Sequence, residues 1–178
     1  MKRSQVEHVL RAAAAITQET SFFVLGSQAV LFHFPHAPED LTHSRELDLY
    51  PAFHPEKADL IDGAIGAMSS FDETFGYHAD GVGPETAALP LDWRTRESLF
   101  YVGDVTAICP EIHDLAVSKC VAGREKDAGY IQALFRHRMI DLDTMVERAG
   151  KIDAAKYSMQ HVVQWIRRPA KEAQELAP

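Results

Sequence analysis

Residues 22–50, FFVLGSQAVLFHFPHAPEDLTHSRELDLY, decide the fold that we predict. The segment opens with an apolar run at 22–25, which is typical of a buried strand and ends at a Gly-Ser pair. A second strand is predicted at 46–50, where acidic and apolar side chains alternate. Because side chains of a strand point alternately to opposite faces, Glu46 and Asp48 should project from one face, with the leucines on the other.

Two carboxylates on one strand face predict a cation site. Like charges at this distance repel each other and raise the pKa of one of the two groups unless a cation lies between them. Mg²⁺ and Mn²⁺ are hard cations that prefer oxygen ligands. Gly26 lets the backbone approach a phosphate closely, and Ser27 begins a short helix whose first N–H groups are available to an anion. We therefore expect Gly26 and Ser27 to bind a phosphate beside a metal ion held by Glu46 and Asp48.

Two stretches carry a family resemblance. The Leu-Gly-Ser turn at 25–27, followed by Glu-Leu-Asp-Leu at 46–49, resembles the signature of the nucleotidyltransferase superfamily. Residues 113–127, HDLAVSKCVAGREKD, are similar to the C-terminal half of small, stand-alone bacterial nucleotidyltransferase-like proteins. Those proteins are related to the nucleotidyltransferase toxins of abortive-infection toxin–antitoxin pairs.

The resemblance implies metal-dependent transfer of a nucleoside monophosphate from a nucleoside triphosphate. In that reading Glu46 and Asp48 bind Mg²⁺ or Mn²⁺, and the Gly26-Ser27 turn holds the terminal phosphates. A third carboxylate on a neighbouring strand completes the metal site or acts as base. Only the resemblance favours Asp80 for this role over the other acids of the region, which are Asp72, Glu73 and Glu85.

Lys119 lies on a predicted helix that otherwise faces a core. Its ammonium group either reaches solvent along the helix surface or points at phosphates, and the resemblance favours contact with the triphosphate. Asp127 is a predicted partner that pairs with Lys119 or with Arg124 and orients it.

The acceptor of the nucleotide stays open, with a small RNA, a protein or a small molecule as alternatives. The resemblance also implies a toxin or antitoxin partner. A different reading is a catalytically decayed member that keeps the fold as an antitoxin or a protein-interaction module. That reading rests on Glu46, where the family usually has Asp, and on the long spacer between Ser27 and Glu46.

Composition narrows the function classes. The chain has 178 residues, 46% hydrophobic and 25% charged, with a formal net charge of −8. An acidic chain lacks the cationic surface that gives broad DNA affinity, although a local basic face around Arg124, Lys126 and residues 136–138 leaves a small RNA open. No apolar run is long enough to cross a bilayer, and the first residues lack the apolar core of a secretory signal. We expect a cytoplasmic protein.

The rest of the chain gives an approximate order of elements. Apolar spacing predicts helices at about residues 4–17 and 56–68, with a short one at 28–33 between them. A strand interrupted at Gly76 is predicted over 71–82, and a hairpin over 99–108 turns at Gly103-Asp104. Further helices are predicted at about residues 110–122, 124–135, 140–149 and 152–167, before a polar tail with Pro169 and Pro178.

These elements predict an α/β fold of the α+β type. We expect a small, mixed, largely antiparallel sheet that carries the acids, with helices packed on one side. The chain is predicted to be a single domain, residues 1–178, with a sheet-bearing core at about 1–108 and a helical lobe at about 109–168 that closes the nucleotide cleft. Cys109 and Cys120 are too few for a disulfide framework and are expected to be buried thiols.

Overall fold

The computed structural model describes residues 1–175, which form two compact units. The first unit combines Met1–Thr86 with Ser98–Cys109, and the second combines Ala87–Glu97 with the chain from Pro110 onward. No helix within the described residues is long and apolar enough to cross a membrane. The single domain, with a sheet-bearing core at about 1–108 and a helical lobe at about 109–168, stays a prediction.

The first unit is built on a five-stranded mixed sheet of order β3-β2-β1-β5-β4. The strands are β1 Ser21–Val24, β2 Glu46–Pro51, β3 His78–Gly81, β4 Ser98–Val102 and β5 Val105–Cys109. The β1–β2 and β4–β5 pairs are antiparallel, and the β1–β5 and β2–β3 pairs are parallel. The predicted α+β class and mixed sheet are confirmed, and antiparallel pairing accounts for half of the sheet. The predicted hairpin at Gly103 is the β4–β5 pair.

This unit also contains four α-helices. They are α1 Arg3–Thr17, α2 Val30–His33, α3 Ala58–Ile65 and α4 Ser70–Phe75, and a 3₁₀ turn, Ser27–Ala29, leads into α2. Gly81 is paired in register with Leu49, and a Cβ on it would lie 2.1 Å from the Ala58 carbonyl oxygen. The α3 helix therefore lies on the Leu49 face of the sheet, opposite the face that carries the acids.

The strand predicted over residues 71–82 is wrong in its first half. Residues 70–75 form α4, because the Ser69 side chain accepts a hydrogen bond from the Asp72 N–H and caps the first turn. Gly76, at φ +74°, ends the helix in the left-handed conformation that glycine adopts readily. Only the second half of the predicted segment forms a strand, β3, which begins at His78.

The second unit is helical. Its helices are α5 Ile112–Ala122, α6 Glu125–Arg136, α7 Leu142–Ala149 and α8 Met159–Glu175. The first three match their predictions closely. The predicted last helix is wrong at both ends, because α8 begins after Ser158, whose hydroxyl accepts from the His161 N–H, and continues through Pro169. Pro178, in the predicted tail, lies outside the described residues.

Pro169 is tolerated inside α8 because another donor replaces its missing N–H. The carbonyl oxygen of Trp165, which a residue at position 169 would normally bond, instead accepts a hydrogen bond from Cys120 Sγ at 3.7 Å. Cys109 and Cys120 are both free and buried, as predicted. Burial raises the pKa of the Cys120 thiol to about 12, with a smaller contribution from the charge of Asp127.

A buried charge cluster ties residues 87–97 to α5. The Asp114 side chain is fully buried and accepts two hydrogen bonds from Arg96, from Nε at 3.0 Å and from Nη2 at 3.1 Å. Arg96 also donates to Asp92 at 2.7 Å. A bidentate arginine that holds a buried carboxylate is a structural element of this unit.

Candidate active site

Strand β2 presents its two acids on one face, as its alternation predicts. Leu47 and Leu49 are fully buried, whereas Glu46 and Asp48 are half-buried on the opposite face. The local sequence enforces this arrangement, since a shift of register by one residue would place both carboxylates in the apolar core. The acids therefore lie together at an accessible sheet surface.

The Gly-Ser turn lies directly against Asp48. Leu25 donates its backbone N–H to the Asp48 carbonyl oxygen at 2.9 Å, which places the turn beside β2. Gly26 has φ +67° and ψ −170°, a conformation reserved almost entirely for glycine. A Cβ at this position would lie 1.9 Å from Asp48 Oδ2. Glycine is thus required both by the backbone and by the neighbouring carboxylate, and Ser27 follows at the start of the 3₁₀ turn.

Strand β3 adds Asp80 and His78 to the same face. In the parallel β2–β3 pair, Asp80 is the register partner of Asp48 and His78 is the partner of Glu46. Side chains of register partners project from the same side of a sheet. The predicted third acid, Asp80, is therefore brought to the two predicted metal ligands, and its role in catalysis stays a prediction.

The other acids considered for the third position lie elsewhere. Asp72, in α4, pairs with Arg45 at 2.9 Å and lies 3.2 Å from Nδ1 of His78. Glu73 is also in α4, and Glu85 lies in a short 3₁₀ turn after β3. None of these three is on β3, so only Asp80 projects from the strand beside Asp48.

The donor atoms of three residues converge on this face. Ligand atoms of Glu46, His78 and Asp80 all lie within 4.8 Å of one another, a spacing that a single cation can bridge. Burial raises the pKa of the Asp80 carboxyl, and the negative charge of Glu46 raises it further, while His78 opposes the shift. Carboxylates that repel one another on a partly buried surface fit a divalent cation chemically.

His78 is the functional candidate that the sequence interpretation missed. Its ring lies between two acids, with Nδ1 3.2 Å from Asp72 Oδ1 and Nε2 3.6 Å from Asp80 Oδ1. Its side chain is only 13% exposed. The signal available in the sequence was the His-Ala-Asp alternation of residues 78–80, which repeats the polar–apolar–polar pattern of 46–48.

Lys119 belongs to the second unit and is paired there. Its Nζ lies 3.2 Å from Asp127 Oδ1 and 5.0 Å from the ring centroid of Tyr130. Arg124 donates to the other oxygen of Asp127 at 2.7 Å. The predicted pairing of Asp127 with these cations is confirmed for both of them, and contact of Lys119 with a triphosphate stays a prediction.

A separate cleft of about 650 Å³ lies between the start of α1 and the loop at 35–43. Its lining includes Arg3, His36 and His43, and none of the acids of β2 or β3. The carboxylate cluster is a feature of the sheet surface, and its chemistry, rather than the size of a cavity, identifies it as the candidate site.

The comparison with protein families agrees with this geometry. A family model described as a nucleotidyltransferase of unknown function (DUF6036) matches residues 4–168, which include the Gly-Ser turn and the acids of β2 and β3. No curated protein and no solved structure matches the chain significantly. On the match across nearly its whole length, the chain belongs to this family of nucleotidyltransferases of unknown function.

Proposed function

We propose that the chain transfers a nucleoside monophosphate from a nucleoside triphosphate to an acceptor, with a divalent metal ion held by the acids of β2 and β3. One observation carries this proposal. Asp48 is placed against the Gly26-Ser27 turn on one side and beside Asp80 on the other. This arrangement supports the proposal, because the acids would hold the cation and the Gly-Ser turn beside them would contact the phosphates.

The reaction forms a bond between an acceptor oxygen and the α-phosphorus and breaks the bond to the oxygen that bridges to the β-phosphate, so that pyrophosphate leaves. Mg²⁺ or Mn²⁺, when bound, would supply positive charge to the phosphates and favour deprotonation of the attacking group. Glu46 and Asp48 are the proposed ligands. The backbone at Gly26 and the Ser27 side chain are the proposed contacts of the terminal phosphates.

Asp80 is the proposed third carboxylate of the site, which completes the set of metal ligands or accepts the proton that the attacking group loses. Asp80 projects from the face that carries Asp48, so a proton released there has a base within the same cluster. The acceptor itself, a small RNA or a protein, and a toxin or antitoxin partner belong to this proposal on the sequence resemblance alone.

The proposal is tested by melting the protein with Mg²⁺ or Mn²⁺ and each nucleoside triphosphate in turn. A triphosphate at about 100 times its dissociation constant should raise the free energy of unfolding by roughly 2.7 kcal/mol through mass action. The matching nucleoside, which lacks phosphates, is the control and should give no comparable shift. Absence of a shift with every triphosphate would favour the non-catalytic alternative, an antitoxin or protein-interaction module that keeps the fold.

Transfer itself is measured with a triphosphate labelled at the α-phosphate. Label should move to an added RNA or protein fraction, with release of pyrophosphate in equal amount. Binding of a triphosphate without release of pyrophosphate in the presence of either fraction would contradict the transferase proposal.

A further inference from the structure

His78 is placed as a metal ligand would be. Its ring is largely buried on the sheet face that carries Glu46 and Asp80, and the donor atoms of these three residues lie within 4.8 Å of one another. A histidine buried among carboxylates has two common explanations. Either it is a charged partner that neutralises the acids, or it is a neutral ligand whose free nitrogen binds a metal.

The surroundings of the ring favour a defined orientation. Nδ1 is buried and lies 3.2 Å from Asp72 Oδ1. Asp72 is itself held by Arg45 at 2.9 Å and by the Met68 N–H at 3.2 Å. These contacts leave Nε2 as the nitrogen that faces Asp80, at 3.6 Å. A carboxylate behind one ring nitrogen and a metal in front of the other is the arrangement that orients most metal-binding histidines.

We propose that His78 Nε2, together with Glu46 and Asp80, binds the divalent cation of this site. Asp72 positions the imidazole ring, and the nitrogen ligand makes the site prefer Mn²⁺ or Co²⁺ to Mg²⁺. The proposal rests on the proposed function for its place in nucleotidyl transfer, although cation binding stands on the geometry alone. Mg²⁺ prefers oxygen ligands and retains its water, whereas imidazole nitrogen binds first-row transition metals well. The sequence interpretation, with carboxylates only, makes no such distinction between cations.

The two explanations of His78 predict opposite effects of one substitution. If His78 is a ligand, His78→Gln removes a donor and weakens Mn²⁺ binding. If His78 is a cation that neutralises Glu46 and Asp80, His78→Gln removes a positive charge and strengthens the binding of every divalent cation. The sign of the change therefore decides between them without a measurement of activity.

The experiment uses the full chain, without an added histidine tag and without nucleotide. Mn²⁺ is titrated, free Mn²⁺ is followed by its electron paramagnetic resonance signal, and pulsed spectra of bound Mn²⁺ are examined for coupling to a nitrogen nucleus. Wild-type protein should show this nitrogen coupling. His78→Gln should lose it and should raise the dissociation constant for Mn²⁺ about tenfold or more, with a smaller change for Mg²⁺.

Matched variants separate the ligand from its support. Asp72→Asn should retain the nitrogen coupling but weaken Mn²⁺ binding about tenfold or more, because the ring loses its negatively charged partner. His54→Gln is the control, since His54 pairs with Glu19 at 2.8 Å and is 53% exposed, and it should bind Mn²⁺ as the wild type does. Far-ultraviolet circular dichroism checks that each variant is folded. If His78→Gln does not fold, the nitrogen coupling of Mn²⁺ bound to the wild-type protein still tests the proposal.

Three results would each overturn the proposal. These are no Mn²⁺ binding at millimolar concentration, bound Mn²⁺ without nitrogen coupling, or tighter binding by His78→Gln. Failure of the proposed function is recognised separately. If the chain binds Mn²⁺ through nitrogen but neither binds nor transfers any nucleotide, the metal site is supported and the transferase proposal is overturned. If the chain transfers nucleotides and bound Mn²⁺ shows no nitrogen coupling, the transferase proposal is supported and the role of His78 as a ligand is overturned.

Discussion

Asp48 occupies the space that a side chain at Gly26 would need, since a Cβ on Gly26 would lie 1.9 Å from Asp48 Oδ2. The turn proposed to contact the phosphates therefore packs directly against a proposed metal ligand. A substitution at either residue should therefore change the packing of the other. The coupling between substitutions at Gly26 and Asp48 tests whether this contact is a rigid part of the site.

Gly26→Ala should destabilise the protein for two reasons. The backbone at φ +67° and ψ −170° disfavours any residue with a Cβ by about 1–3 kcal/mol, and the contact with Asp48 adds overpacking of about 1–3 kcal/mol. Urea-induced unfolding of Gly26→Ala, Asp48→Ala and the double variant measures the two effects separately. Gly26→Ala should cost less in the Asp48→Ala background, because the colliding carboxylate is gone.

Gly103→Ala is the control for a glycine of positive φ that has no colliding neighbour. Gly103 has φ +62°, and a Cβ there would meet no atom within 4 Å. This variant should be destabilised by backbone strain alone and should show no coupling to Asp48→Ala. Equal costs of Gly26→Ala in both backgrounds would mean that the Asp48 side chain moves away freely and that the pair is not a rigid part of the site.

The face shared by Glu46 and Asp48 could be predicted from the sequence because the leucines that alternate with them leave one arrangement that buries apolar side chains. The short helix α4 could not. Phe71 and Phe75 suit an alternating strand with a break and also the four-residue spacing of a helix, and in a six-residue element the period does not decide. The Ser69 side chain favours the helix instead, because its hydroxyl accepts a hydrogen bond from the Asp72 N–H, which in a strand would bond to a neighbouring strand.

His78 escaped prediction for a different physical reason. Its position opposite Glu46 depends on the register of two parallel strands that are far apart in the chain. Parallel strands are joined by a crossover, and no turn geometry sets their register locally. Packing of Ala79 beside Leu47 and of Gly81 against Ala58 fixes the register, and these contacts exist only in the folded unit.

Asp48→Asn should leave the stability of the metal-free protein unchanged or slightly raised. The substitution removes one of several like charges on a sheet face, whereas most changes at structural residues lower stability. The stabilisation by Mg²⁺ with the preferred triphosphate should be mostly lost. Melting curves of both proteins, with and without these ligands, measure the two effects.

Asp104→Asn is the charge-matched control, because Asp104 is exposed in the β4–β5 turn. It should retain the full shift with metal and triphosphate. A loss of several kcal/mol by metal-free Asp48→Asn would instead assign Asp48 to holding the fold, since surface substitutions usually change stability by less than about 0.5 kcal/mol.

Lys119→Met should destabilise the protein by about 1–3 kcal/mol, because it removes a partner from a buried carboxylate. The side chains of Lys119 and Asp127 are only 13% and 8% exposed. Arg124 remains bonded to Asp127, which limits the loss. Lys126→Met, at an exposed position of α6, is the control, and chemical denaturation of both variants gives the comparison. Equal stability of the two would show that Asp127 needs only Arg124, leaving Lys119 available for another role.

Asp141 provides a test of pH dependence away from the candidate site. Its carboxylate accepts the Thr144 N–H at 2.9 Å and caps α7. That backbone hydrogen bond, followed by smaller contributions that include His113, lowers the pKa of the Asp141 carboxyl. A lowered pKa in the folded state means that ionised Asp141 stabilises the fold above the unfolded-state pKa of about 3.9, and that this contribution is lost as pH falls through the folded-state value.

Asp141→Asn keeps a capping oxygen but cannot ionise, so its free energy of unfolding should fall below that of the wild type at about pH 5, and the difference should shrink at about pH 3 and below. At both pH values His113 stays protonated, because they lie below the usual pKa of histidine, about 6.5, and the pKa of His113 is raised. Burial alone would lower this pKa, but the hydrogen bonds and negative charges of Glu111 and Asp141 together outweigh burial. Asp141→Ala, which loses the cap, should cost about 1 kcal/mol, and Asp143→Asn, at an exposed position, is the control for a change of charge. Urea unfolding at the two pH values makes the measurement. A difference between wild type and Asp141→Asn that does not change with pH would show that the capping bond is equally strong with a neutral carboxyl, contrary to the expected role of its charge.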